Sequence, residues 1–242
     1  MRLRLSDIFA DAAALWRGGP QLLVTVAAVF FMLPQLALFL FVGPMKPVDG
    51  LDEQAVLNLW LDYFQQNLLW FAAHYIAESM GVGTLLLMLL DPARPSVGEA
   101  MARGFRLLPG LIAARYIASL AVTLGLFAFV VPGCYLSGRT FVTSAVYLRE
   151  RERGPVNAIF AAFGRTHGNG WPLFLVVFTA WGLSVFGGGA LMPLAVAAEP
   201  LGELVSGPLK ALTAAVMAAA MLFAVLLEAA AYRALPPPST GM

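Results

Sequence analysis

Charged side chains are scarce in this chain: Asp, Glu, Lys and Arg make up 12% of its 242 residues, where a soluble domain carries about a quarter. The shortage argues against a water-exposed globule, and a net charge of +1 offers no basic footprint for nucleic acid. Cysteine is nearly absent. A lone Cys134 excludes an internal disulfide and a cysteine-based metal centre. His74 and His167 are the only two histidines, too few for the three or four protein ligands of a zinc site. Also missing are a G-x-S-x-G nucleophile elbow, a G-x-x-x-x-G-K-[ST] phosphate loop and an H-E-x-x-H metalloprotease helix. The expectation is therefore no enzyme, no metal and no cofactor.

What the chain has is apolar sequence, at 60% of residues. About 20 apolar residues cross a hydrocarbon layer as a helix, and six stretches qualify: Gln21 to Val42 with Pro34 as a kink, Asn67 to Leu90, Leu111 to Val131, a short Cys134 to Leu148, Trp171 to about Ala198, and Pro208 to Tyr232. Pro132-Gly133 should make the turn into the short fourth. Arg2 and Arg4 precede the first stretch, which is too long for a signal-peptide core and lacks a small-x-small cleavage site, so it reads as a retained span.

Arginine placement orients the spans. Arg2, Arg4 and Arg17, then Arg94, Arg103 and Arg106, then Arg149, Arg151, Arg153 and Arg165, and finally Arg233 all fall on one side when six spans are counted. The other side holds Lys46, Asp49, Asp52, Glu53 and Asp62, then Glu199, Glu203 and Lys210. By the positive-inside rule both termini are cytoplasmic.

Three cytoplasmic segments share a plan: "SDIFADAAALWRGGP", "SVGEAMARGFRLLPG" and "GPVNAIFAAFGRTHGNGWP". Each has a helix-start signal, apolar residues at helical spacing, an aromatic followed by an arginine, and a Gly/Pro break before a span. Such short helices lie in the interface with arginine at the phosphates. The expected anchors are Trp16 with Arg17, Phe105 with Arg106, and Phe163 with Arg165, joined by Trp171 at the next span. The predicted fold is an all-α polytopic bundle of six spans and three interfacial helices. It forms one transmembrane domain over residues 1–242, in units 6–90, 96–148 and 154–233, with a flexible tail at 234–242.

The stretch "PGCYLSGRTFVTSAVYLRERERGPVNAIFAAFGRTHGNGWPLF" resembles the membrane domain joined to some bacterial glycerophosphoryl diester phosphodiesterases, and the related YciC-like membrane proteins. The likeness rests on the order of Pro132-Gly133, Glu150 or Glu152, Gly154-Pro155, Ala158 and Gly170-Trp171, over the middle third of the chain. Where those proteins often carry a late proline, this sequence has Ser144-Ala145-Val146. The resemblance implies a six-helix membrane domain of poorly defined role. It does not imply phosphodiesterase chemistry, which belongs to a separate soluble barrel.

Polar residues within spans are the candidate site, since each costs about 2.5–3.5 kcal/mol at the bilayer centre unless paired or wet. His74 and Glu78 lie four apart on one helix face. Matched depth suggests the pairs Arg139 with Glu78 and Arg115 with Glu228. Gly187-Gly188-Gly189 and Pro193 should bend or end the fifth span, as a functional break or as a packing kink. Two functions follow. The first expectation is a non-enzymatic scaffold or envelope-maintenance domain that organises membrane lipids, or another membrane or peripheral protein. The alternative is a small-solute, ion or lipid transporter built on His74, Glu78 and Arg139. A cavity reaching His74 and Glu78 would favour transport, and sealed packing a scaffold.

Overall fold

The structure, a computed structural model, describes residues 3–45, 50, 52–150 and 154–236. Arg2, Lys46, Asp49, Arg151, Glu152, Arg153 and the tail from 237 lie outside that set. Helices α1 (Leu5–Arg17), α2 (Pro20–Phe41), α3 (Glu53–Gln66), α4 (Leu68–Leu90) and α5 (Val97–Ala128) are followed by α6 (Val130–Thr140), α7 (Thr143–Arg149), α8 (Gly154–Arg165), α9 (Gly170–Ala197) and α10 (Glu203–Ala234). No strand occurs among the described residues. Five helices, α2, α4, α5, α9 and α10, are long and apolar enough to cross a membrane. Their outward faces carry exposed Leu22, Phe41, Leu69, Phe127, Phe178 and Leu212, as a lipid-facing surface would.

Helix α10 is central. In its most apolar 18 residues 61% are buried, against 44% or less in the other four. Alanines make this possible: Ala214, Ala218, Ala229, Ala230 and Ala231 are buried and let neighbouring helices approach. Helix α1 packs along α10, with Phe9 stacked on Phe223 and Asp11 paired to Arg233 at 3.5 Å, so both ends of the described chain sit at one end of the bundle.

Two bends were legible as prolines and glycines but take an unexpected form. Within α2 a π-helical segment at Ala28–Met32 precedes Pro34. Proline cannot donate its backbone hydrogen bond, and the wider turn accommodates that loss. Within α9 the glycine run lies at another π-helical segment, Leu183–Gly188, and the helix continues through Pro193. It is neither ended nor unwound. Gly187 and Gly188 instead let α9 press onto Val216 and Met217 of α10.

The segment expected as a second interfacial helix is continuous with the third span. Ser96 starts α5 with a capping box, its backbone N–H donating to Glu99 Oε2 at 2.9 Å, and the helix runs unbroken through Pro109. Its 32 residues extend about 48 Å, well beyond a hydrocarbon layer of about 30 Å. The Tyr147 hydroxyl donates to the Leu107 carbonyl beside that proline and holds the helix against α7.

Reversal into the fourth segment occurs at Phe129, in extended conformation, and not at Pro132-Gly133. Both residues lie inside the first turn of α6, where a missing N–H is harmless. Gly133 is required because Leu126 of α5 occupies the space of a side chain. The fourth segment is itself two helices, α6 and α7, separated at Phe141–Val142. Together they run antiparallel to α5: Gly125 meets Gly133 and Leu136, while Gly110 meets Tyr147. The 18 helical steps from Leu107 to Gly125 span about 27 Å.

Helix α3 was not foreseen. Asp52 caps it by accepting from the Ala55 N–H at 2.7 Å, and Leu57, Trp60, Leu61 and Phe64 are exposed along it. Tyr63 fastens it by donating to the Gly43 carbonyl at 2.7 Å. Burial raises the Tyr63 phenol above its ordinary value.

Candidate intramembrane site

The antiparallel register of α5 with α6–α7 fixes where the polar residues meet. Arg115, midway between Leu107 and Gly125, stands opposite the break at Phe141–Val142. From α4, Glu78 reaches it at 2.5 Å, between Glu78 Oε1 and Arg115 Nη2. His74, one turn away on α4, lies 3.7 Å from the other Glu78 oxygen. Their side chains keep 16–21% exposure, far less than free side chains but not sealed. The Arg115 guanidinium also lies 5.7 Å from the centre of the Tyr75 ring.

Glu228 arrives from α10. Its carboxylate accepts from the Ala145 N–H at 2.9 Å and is also bonded by Ser144, at the free N-terminus of α7. A broken helix leaves unpaired N–H groups, and the carboxylate satisfies them from another chain segment. The Arg115 charge acts on Glu228 as well. The cluster therefore holds two carboxylates, one guanidinium and one imidazole around a helix start, in surroundings of low dielectric where such charges are tolerated only when paired or hydrated.

Space accompanies the charges. A cavity of about 320 Å³ touches His74, Glu78, Gln35, Trp181 and Ser184. A second, of about 210 Å³, touches Arg115, Thr140, Thr143, Ser144 and Glu228. The two share Phe141, Met221 and Ala224 as walls. Phe31 of the first π-helical segment and Ser184 of the second both line the larger one. Irregular turns of this kind concentrate at functional sites.

Arg139 is elsewhere. Its Nε donates to Thr166 Oγ1 at 3.0 Å, its Nη1 to the Tyr135 hydroxyl at 2.8 Å and its Nη2 to the Phe163 carbonyl. Rings of Tyr135 and Phe163 cover the guanidinium at 5.6 and 5.1 Å. Among the described residues it has no carboxylate partner. The expected pairs, Arg139 with Glu78 and Arg115 with Glu228, thus give way to Glu78 with Arg115, and to Glu228 with the α7 N-terminus. Depth along a helix was readable, but the direction around the helix axis was not.

The anchors divide in the same way. Trp16, Arg17, Phe105, Arg106 and Trp171 are exposed. Phe163 instead roofs Arg139. Arg165 turns inward, bonding Glu150 at 2.6 Å and lying 4.7 Å from the centre of the Tyr232 ring. Sequence reasoning missed Gln35, Thr140, Thr143, Ser144 and Ser184 as cavity-lining residues; each is a polar residue in an apolar stretch, the one signal that could have found them.

Comparison with protein-family models, with curated proteins and with solved structures finds no match.

Proposed function

We propose that this chain is a non-enzymatic, six-span protein of the bacterial cytoplasmic membrane that passes a proton or a small cationic solute through the His74, Glu78, Arg115 and Glu228 cluster. One observation carries the reading: adjoining cavities reach all four residues where the fourth span is broken. Broken helices lining midplane cavities are how transporters expose backbone groups to a substrate. Two carboxyl groups and an imidazole face one guanidinium, so the cluster has more titratable groups than one arginine can pair, which suits passage of a proton or a cation. The scaffold reading, first from sequence, needs these residues sealed, and the cavities weigh against it.

Six crossings, with α6 and α7 together making the fourth, put both termini on the arginine side, hence in the cytoplasm. That end gathers Arg103 and Arg149 on Asp91, and Arg233 on Asp11, while Lys210 with Glu199 marks the opposite end. The resemblance to phosphodiesterase-linked membrane domains fits a bundle of apolar helices and adds no catalytic role.

Cysteines placed singly at His74, Glu78 and Ser184 in a Cys134→Ser background test the reading. Labelling of all three by a water-soluble thiol reagent is expected. Protection of all three, with cysteines at Arg106 and Glu53 reacting freely, would return the protein to the scaffold class.

A further inference from the structure

A cavity larger than either of those at the intramembrane cluster lies apart from it. It is a cleft of about 790 Å³ at the arginine end, where α1, the start of α2, the α4–α5 turn, α7 and the last turn of α10 converge. Its walls are of two kinds. Leu15, Leu22, Leu23 and Met88 through Leu90 make an apolar side, and Arg94, Arg149 and Arg233, with Asp11 and Asp91, make a charged rim.

The arginines are unequally committed. Asp91 takes Arg103 at 2.9 Å and leaves Arg149 at 3.9 Å, and Asp11 holds Arg233 at 3.5 Å. Arg94 has no acidic partner among the described residues. It is also the one non-glycine described residue in the left-handed region, at φ 45°, held there by a turn in which Asp91 accepts from the Ala93 and Arg94 N–H groups. A bulky side chain in that conformation is costly. Gly18 and Gly19, which precede α2, also line the cleft, so the positive end of a span-length helix faces it.

We infer that this cleft binds the phosphate of an anionic phospholipid, with Arg94 and Arg149 on the headgroup and the leucine wall against the upper acyl chains. Three arginines against two aspartates leave the rim cationic, and guanidinium forks match phosphate oxygens. At the level where the apolar belt ends, arginine and leucine side by side match the two halves of a lipid and exceed what a wholly soluble anion would need.

Titration of the purified full-length protein with phosphatidylglycerol and phosphatidylcholine, read by native mass spectrometry, tests the site. Saturable phosphatidylglycerol binding is expected, weaker by about tenfold in Arg94→Gln and in Arg149→Gln. Arg4→Gln, exposed and outside the cleft, should bind as the parent does. Lipid-free melting temperature should be unchanged in Arg94→Gln, since that side chain holds no ion pair with any described residue. Equal binding by parent and both cleft variants, or no preference for phosphatidylglycerol, would overturn the proposal. So would displacement of the lipid by millimolar inorganic phosphate, which would make the occupant a soluble phosphate.

Discussion

At the scale of single residues, pairing decides what a buried charge costs. Glu78 has one strong partner, Arg115, so removing the arginine leaves a carboxylate unpaired at mid-depth. Arg115→Leu is expected to destabilise the fold by ~3–5 kcal/mol, and adding Glu78→Leu should recover part of that loss. A double-mutant cycle on unfolding in mixed micelles should give a coupling of ~1–3 kcal/mol for Arg115 with Glu78. The same cycle for Arg139 with Glu78 should be additive within ~0.5 kcal/mol, because the pair shares no contact. Coupling of Arg139 to Glu78 would contradict the arrangement. Sequence alone identified each of these charges as a buried group needing a partner, because insertion cost depends on residue type and depth. The partner was not legible, since rotation about the helix axis depends on which neighbours pack and no periodicity encodes that.

Element boundaries are readable where local chemistry marks them, and the first, second and fifth stretches, read as Gln21 to Val42, Asn67 to Leu90 and Trp171 to about Ala198, fall within one residue of the helices Pro20–Phe41, Leu68–Leu90 and Gly170–Ala197. The α6–α7 break is not readable. Nothing at Phe141–Val142 forbids a helix, and the group that satisfies the exposed Ala145 N–H is Glu228, 83 residues away in sequence. Glycine meaning was also hidden, since a glycine in an apolar run marks a bend or a close approach equally well. The structure separates the cases. A side chain on Gly138 would collide with the backbone of Gly170 and Phe174, atoms that cannot swing aside, whereas Gly189 faces open space. Gly138→Ala should therefore destabilise the α6–α9 contact by ~1–3 kcal/mol, as overpacking does. Gly189→Ala should be neutral or stabilise by up to ~1 kcal/mol through helix propensity. Thermal unfolding of the two variants in one detergent compares them directly. An inverted order would mean that α9 is not seated on α6 as described.

For the whole molecule the constraint is parity. The described chain begins and ends at one end of the bundle, where Asp11 meets Arg233 and the Leu3 N–H donates to Asn169 at 3.1 Å. An odd number of crossings would separate those ends, yet among the described residues five helices are individually long enough to span. The proposed topology resolves this by letting α6 and α7 cross jointly, at about 27 Å of paired length beside α5. A single helix is cheaper in lipid because every backbone group bonds within it, so a divided span is tolerated only where protein covers the break. Here Thr143 through Leu148 are buried on all sides. Reporter fusions read the outcome. Phosphatase joined after Phe129 should be active, and phosphatase joined after Glu150 inactive, with the reverse pattern for a fluorescent protein that folds only in the cytoplasm. Activity at both positions would mean that α6 and α7 return to the side they came from. The glutamate-capped break would then lie in a re-entrant loop, and the polar cluster would face one side of the membrane only.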